Sequence, residues 1–582
     1  MEQINTVRWK LDNLQGGLDL ESFKDKLMII NEQLTKIQTD ITKFKISENE
    51  LITLSKVIKQ IESAESLYYC LTTEDVDQNI LSPLIGNISA LKSKIRVILS
   101  IAQVNLNNMS EEQFTNWSKD ITQINLLNEI KKNKEKGSRV EKNRLNESLH
   151  SLAATYRQMK RDLKVKNVYE SEDKEISYSE ANYLSFNDPD HNKRRRVFEE
   201  LNRSLEKEAN SFASIYNQMV GIRLKDGKKN VSVLDESLKL NGISKQILNA
   251  IWGVLDANIT EISSYLRIKS EELGKEKLSW YELMSSTVEE YPPFHFSEAV
   301  KGLTKSLENI DSNMIEFINK CIRNGWVDAE PRNTKQPGGF CAPFLDEGES
   351  RISLSFDNTI DSARRLAHEL GHAWHYQQMK DAPSLCFTDD SFELTMAETA
   401  SIFFETVYLD YIAQSTNDLA AKKIYLESNI QRCLNYLMNI RGAFLFEEKF
   451  YELRKNGDVD PVQMEQLSLK CQEQAYGNSL SEYEPFVWIK YDHFYQADTP
   501  FYNYPYVFGF LFSIGIIEIA KKDELFAERF QEFLSETGVI PLDQLVKKHF
   551  DIDLAKPNFW QGSIKKFLKD IQDYIKLAKK GY

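Results

Sequence analysis

His368, Glu369 and His372 spell His-Glu-x-x-His within residues 365–375, and their types and spacing suit metal-assisted hydrolysis. On an α-helix, positions i and i+4 share a face with backbones roughly 6 Å apart, so two imidazoles can converge on one metal ion. A zinc ion held this way keeps an open position for water and lowers that water's pKa from about 15.7 towards about 7. Glu369, next to the ion, can then take the proton. The chain has eight histidines in 582 residues, so chance produces the pattern on the order of once in a hundred such chains. The plain alternative is an amphipathic helix whose histidines are ordinary satisfied polar groups.

A catalytic zinc site has three protein ligands, so the pair needs a partner from another element. Glu398 is the candidate. It lies in a segment, 392–405, that reads as a second helix with Leu394, Ala397, Ile402 and Phe403 among its apolar positions. Glu405, seven residues on, shares its face and is either an acceptor for a ligand imidazole or a solvated carboxylate. Residues 377–391, with Pro383 and the Asp389-Asp390 pair, suit a turn between antiparallel helices. His375 faces the same side as the pair but is superfluous as a ligand, and reads as packing or as support for the site.

These residues resemble a known family. His368-Glu-Leu-Gly-His372 followed by Met396-Ala-Glu-Thr-Ala-Ser401 is similar to oligoendopeptidase F, among the thimet-oligopeptidase-like zinc peptidases. So are the runs Pro337-Gly-Gly-Phe-Cys-Ala-Pro-Phe344 and Ile352-Ser-Leu-Ser-Phe-Asp-Asn358 before the motif. His493-Phe-Tyr and Pro500-Phe-Tyr-Asn-Tyr-Pro-Tyr506 resemble the family's C-terminal motif, and the resemblance spans most of the chain. It implies a mostly α-helical, two-lobed fold enclosing a cavity that admits short unfolded peptides. It also implies a helical N-terminal lobe over residues 1–190, joined at the turn 184–198 to a catalytic domain over 191–582.

Hydrolysis through a tetrahedral oxyanion needs a hydrogen-bond donor besides the metal. His493 and a tyrosine among Tyr502, Tyr504 and Tyr506 suit this. The resemblance points to Tyr502 first and Tyr506 second, although their spacing from His493 is longer than in the thimet oligopeptidase branch.

The supporting elements can be read from composition and periodicity. From Thr6 to about Ile130 the chain reads as long amphipathic helices rich in Leu, Ile, Lys, Glu and Gln. The charged run 129–144 reads as a solvated helix face or hinge, and Arg194 to Arg196 as ion-pairing residues at a helix start. After Trp326 the period switches to alternation, with Ile352, Leu354 and Phe356 on one side and Ser353 and Ser355 on the other, predicting a small sheet just before the metal helix. An exposed strand edge can hold an extended peptide through its main chain. Gly338, Gly339 and Phe340 are the candidate substrate-binding residues, with the glycines allowing close backbone approach or simply forming a turn. Cys341 has no histidine placed to make it a nucleophile.

A net charge of -14 argues against nucleic acid or an anionic membrane surface as partner. Six scattered cysteines without a Cys-x-x-Cys pair read as reduced thiols of a cytoplasmic protein. The N-terminus lacks the basic start and apolar core of a secretory signal. Residues 501–520 carry one charge, Glu518, but the tyrosines and Pro505 mark them as a buried wall of the site, not a membrane span.

The expectation is a zinc endopeptidase of oligopeptides, holding one zinc ion on His368, His372 and Glu398, with Glu369 as base and Tyr502 or His493 at the oxyanion. Two alternatives stand beside it. One is a helical zinc carboxypeptidase, for which no residue announces itself as binding a terminal carboxylate; the other is a catalytically silent peptide-binding protein.

Overall fold

Buried leucines and isoleucines at 27, 30, 34, 37 and 41 recur at the helical interval of three and four. They line one face of helix Leu20–Lys43, which packs with Glu48–Leu71 and Gln78–Asn107. Ser47 and Glu50 cap the second of these reciprocally, satisfying backbone donors that would otherwise be orphaned. The three helices share one hydrophobic core with Ala342 and Phe344 of a β-strand. The long amphipathic helices expected for the N-terminal segment are therefore present, and their apolar face sets the floor under the sheet.

The structure is a computed structural model. It describes residues 7–582 except 13, 15–16, 18, 44–45, 119–129, 131–138, 169–173, 227–230, 286–292, 336–337, 383–392 and 582. The expected turn with Pro383 and Asp389-Asp390 lies outside the described residues, as do Pro337 and most of the charged run 129–144. The chain forms two compact units, each assembled from three separate stretches. The first comprises Met1–Lys136, Pro292–Tyr411 and Ile516–Ile552; the second comprises Gly137–Tyr291, Ile412–Gly515 and Asp553–Tyr582. The expected boundary at 190/191 falls beside a short link between helices Tyr178–Asn187 and His191–Asp226, where the buried Arg194 guanidinium donates to the carbonyl of Asp188 at 2.6 Å. Of the arginines expected to form ion pairs there, Arg195 meets Glu199 at 2.8 Å.

In the first unit, a three-stranded sheet precedes the motif helix, as expected. Strand Glu349–Leu354 is central, pairing antiparallel with Gly339–Phe344 and parallel with Val327–Asp328. The expected division into an apolar and a polar face is not what the strand shows. Ser350, Arg351, Ile352, Ser353 and Leu354 are all buried, because the strand is central and elements cover both its faces. Next comes helix Ile360–Gln378, started by Thr359, whose hydroxyl accepts the backbone N–H of Ser362 at 3.1 Å.

The second unit is almost wholly helical among its described residues. Helix Leu419–Leu434 runs through a π-turn, Asn435–Asn439, into Ile440–Arg454, and Pro557–Ala578 packs on Lys245–Ala257, Ile259–Glu272 and Leu419–Leu434. The apolar stretch 501–520 contains helix Tyr504–Ala520, with Val507, Phe508, Phe510, Leu511 and Phe512 fully buried. No described helix is long and apolar enough to cross a membrane.

Candidate metal centre

On helix Ile360–Gln378, His368 and His372 present Nε2 atoms 3.2 Å apart. The Glu398 carboxylate oxygen completes a triangle with them, 3.3 Å from His368 and 3.6 Å from His372. Glu398 does not lie inside one continuous helix as the periodicity suggested. It caps the short turn Leu394–Ala397, immediately before helix Thr399–Ser415 begins. The Ser401 hydroxyl hydrogen-bonds both the backbone carbonyl of Glu398, at 3.0 Å, and its carboxylate, at 2.9 Å. A serine bonding its own neighbourhood competes with the helical ladder, and here it helps turn the carboxylate towards the imidazoles.

Gly371 explains how these two segments come together. A β-carbon at this position would stand 2.6 Å from the carbonyl oxygen of Ala400 and from the α-carbon of Ser401. Only glycine lets the two backbones approach that closely.

The surroundings leave three lone pairs facing one another. The buried Glu405 carboxylate lies 3.2 Å from His368 Nδ1 and accepts from Arg364 at 2.8 Å, so His368 carries its proton on Nδ1 and bares Nε2. Arg364 is itself held by Asp361, whose carboxyl stays below its ordinary value: burial pushes it up, but Arg364 and Arg365 outweigh that. Burial lowers His372 to about 4, against the pull of Glu398, and a ring N–H is given to the carbonyl of Ala397. For Glu398, burial is the largest influence and acts upward, yet His372, His368 and Ser401 together hold its carboxyl below the usual range. Two bare imidazole nitrogens and a carboxylate oxygen at such separations repel unless a cation lies among them. Zinc bonds of about 2.0–2.1 Å at tetrahedral angles would set their donors about 3.3–3.4 Å apart, matching the triangle. Among the described residues no other group of three or more His, Cys, Asp or Glu side chains is placed to hold a metal.

Glu369 is buried against this triangle, and burial lifts its carboxyl to about 7, with His368 pulling down and Glu398 pushing up. Strand Gly339–Phe344 lies along it at the sheet edge. A β-carbon on Gly339 would stand 3.1 Å from a Glu369 carboxylate oxygen and 3.0 Å from the Ser353 carbonyl, while Gly338, at φ +104°, needs glycine's conformational freedom. The Phe340 side chain turns the other way, packing on the core with its ring 6.2 Å from Trp9, so only its main chain remains for a peptide. Pro343 already accepts from Ser66, which leaves 339–341 as the open part of the edge among the described residues. His375 is buried, its Nε2 lying 3.0 Å from the Thr537 hydroxyl, and belongs to packing.

His493, Tyr502 and Tyr506 form a separate cluster, within the second unit. The His493 ring meets Tyr502 edge-on at 5.0 Å and stacks on Tyr506 at 5.4 Å. The Tyr506 hydroxyl donates to that of Tyr502 at 3.3 Å, which leaves the Tyr502 hydrogen available to an outside acceptor. Tyr504, the third tyrosine of the run, is buried against Ser237 and Asn241.

Sequence reasoning did not single out Arg364, Ser401 or Gly371. Their signals were faint: an arginine four residues before His368, a serine three after Glu398, a glycine inside a helix.

Comparison with known proteins places the chain in a family. The sequence model of Peptidase family M3 matches residues 184–565, well over half of the chain. The chain belongs to Peptidase family M3. It is similar to an oligoendopeptidase F homolog of Borreliella burgdorferi, 25% identical over 390 residues, which cover 62% of this chain and 63% of that protein. A chromosomal oligoendopeptidase F of Lactococcus lactis subsp. cremoris is 20% identical over 70% of this chain and 67% of its own length. The matched part spans between 48% and 70% of the length of the curated relatives, and 63% of the Borreliella protein. Its fold matches that of oligoendopeptidase-F from Enterococcus faecium with a TM-score of 0.70, at 16% identity over 96% of this chain and 99% of the other. The mostly helical architecture with a small sheet is therefore that of this M3 fold.

Proposed function

We propose that the chain is a zinc-dependent endopeptidase that hydrolyses internal bonds of short, unfolded oligopeptides. The reading is carried by the convergence of His368, His372 and Glu398, with their lone pairs turned inward and Glu369 beside them. One zinc ion on these three residues would polarise a water molecule and the scissile carbonyl. Glu369 takes the proton from the attacking water and passes it to the leaving amine. Its burial supports this role, since a base whose carboxyl is lifted to about 7 holds a proton long enough to return it.

The open strand edge that begins at Gly339 and Phe340, with Gly338 just before it, offers main-chain groups to an extended peptide, beside Glu369. The Tyr502 hydroxyl, supported by Tyr506, donates to the developing oxyanion, and His493 serves the same reaction. The scattered thiols Cys70, Cys321 and Cys471, all buried and outside any disulfide, suit a protein working in the cytoplasm.

The test is a peptide blocked at both ends, offered to the zinc-loaded protein and to Glu369→Gln. Internal cleavage by the parent, with kcat reduced about 10²–10⁴-fold in a variant that keeps its zinc, is expected. Strict dependence on a free C-terminus would make the protein a carboxypeptidase. Zinc binding without any cleavage would make it a silent peptide binder.

A further inference from the structure

One buried carboxylate of the second unit has no task in the chemistry above. Glu447, on helix Ile440–Arg454, accepts the backbone N–H of Phe501 at 2.9 Å. Phe501 has φ +54°, a left-handed conformation that a bulky residue keeps only when its surroundings hold it. Two residues later the buried Asn503 side chain faces both Glu447 and His493. Its Oδ1 lies 2.5 Å from His493 Nδ1. Asn503 Nδ2 and Glu447 Oε2, a buried donor and a buried acceptor, each lack a hydrogen-bond partner among the described residues, and Asn503 draws the Glu447 carboxyl down. Burial is the larger influence on Glu447 and lifts it to about 7; the Phe501 N–H and Arg223 act with Asn503 against it.

The two ends of an amide are not equivalent here. Nδ2 can only donate and Oδ1 can only accept, while an ionised carboxylate only accepts. Glu447 therefore orients Nδ2 towards itself and leaves Oδ1 for His493, whose proton must then sit on Nδ1. Reversing the amide would set its oxygen against the carboxylate. Burial, the strongest influence, lowers His493 below the usual imidazole range despite Asn503 and Asp492, so the ring is neutral at neutral pH. Its Nε2 then carries a lone pair, and no group among the described residues hydrogen-bonds it.

We infer that Glu447 and Asn503 are positioning residues that lock His493 in the Nδ1–H tautomer, so that Nε2 accepts a hydrogen bond from a main-chain N–H of the bound peptide. The inference rests on His493 serving the reaction, and it changes that residue's part: Tyr502 donates, His493 accepts. A histidine held this way binds substrate and transition state alike, so its loss belongs in KM.

The experiment is ¹⁵N spectroscopy of the zinc-loaded protein labelled at histidine, at pH 8 where Glu447 is ionised, with His493 assigned by the signal lost in His493→Gln. The parent should show His493 protonated on Nδ1 and bare on Nε2. Glu447→Gln frees the amide to reverse, so the Nε2–H tautomer should appear, with KM for a blocked peptide rising about tenfold and kcat held within about twofold. Asn503→Asp keeps an acceptor at Nδ1 and should retain the parent tautomer, which tests the inference even if Glu447→Gln does not fold. A parent ring protonated on Nε2, an unchanged spectrum in Glu447→Gln, or loss of Nδ1–H in Asn503→Asp would overturn it. Because the spectrum is read without turnover, unchanged KM and kcat in His493→Gln would remove the peptide-facing role and leave the tautomer assignment standing.

Discussion

At the scale of single residues, the centre depends on which nitrogen of each imidazole is bare. Arg364 and Glu405 settle that for His368 from one side of the helix, and the Ala397 carbonyl engages His372. Glu405→Gln retains the shape but weakens the acceptor, and its amide can present N–H to Nδ1 instead. Zinc affinity should fall about 10–100-fold, read by competition with a chelator of known strength. An unchanged affinity would return Glu405 to the role of a mere ion-pair partner for Arg364. Tyr502→Phe tests the other cluster: with Tyr502 as the proposed oxyanion donor, kcat should drop about 10²–10³-fold with zinc retained. A drop of that size in Tyr506→Phe with none in Tyr502→Phe would exchange the two assignments.

At the scale of elements, the distance between helix Ile360–Gln378 and the start of Thr399–Ser415 decides whether three ligands meet. A methyl group at 371 would meet backbone, not a pliable side-chain tip. Gly371→Ala should therefore push the segments apart, costing about 1–3 kcal/mol of stability through overpacking. Zinc content should fall with it, since Glu398 is carried by the displaced segment. Full zinc occupancy with an unshifted melting temperature would mean the contact is softer than its geometry indicates. The motif helix was legible from spacing because an i, i+4 pair is a local property of the chain. The break at Glu398 was not, because it arises where Ser401 engages that residue and a second backbone presses on Ala400.

At the scale of the whole molecule, each unit is drawn from three stretches of chain, so ligands, sheet and supporting helices of the first unit are joined only by folding. A metal bound by the folded state alone adds stability by mass action, about 4 kcal/mol at a thousandfold excess over Kd. Chelation should lower the melting temperature and added zinc should restore it; a melting curve indifferent to both would argue against the site. Stability should also depend on pH through Glu393, which burial chiefly, and Asp543 secondarily, lift from 4.5 to about 7. With the folded value above the unfolded one, its contribution is complete below about 4.5 and lost as pH rises through about 7. Glu393→Gln should thus be more stable than the parent at pH 8, by about 1–2 kcal/mol, and close to it at pH 5. Equal gains at both values would point to packing and not to charge.

Several parts of this protein were legible in the sequence alone: the paired histidines with Glu369 between them, the glutamate that the fold brings beside them, the amphipathic helices, the strands before the motif and the family resemblance. Each follows from spacing within a few turns of chain, or from motifs that survive as contiguous strings. Tertiary structure alone decided that Phe340 turns its ring into the core, that the central strand is buried on both faces, that Gly371 is a contact between backbones, and that Glu447 accepts the Phe501 N–H from 54 positions away in the chain. Those facts depend on which surfaces meet once distant segments pack, and burial at such a meeting changes what a side chain can donate, accept or ionise.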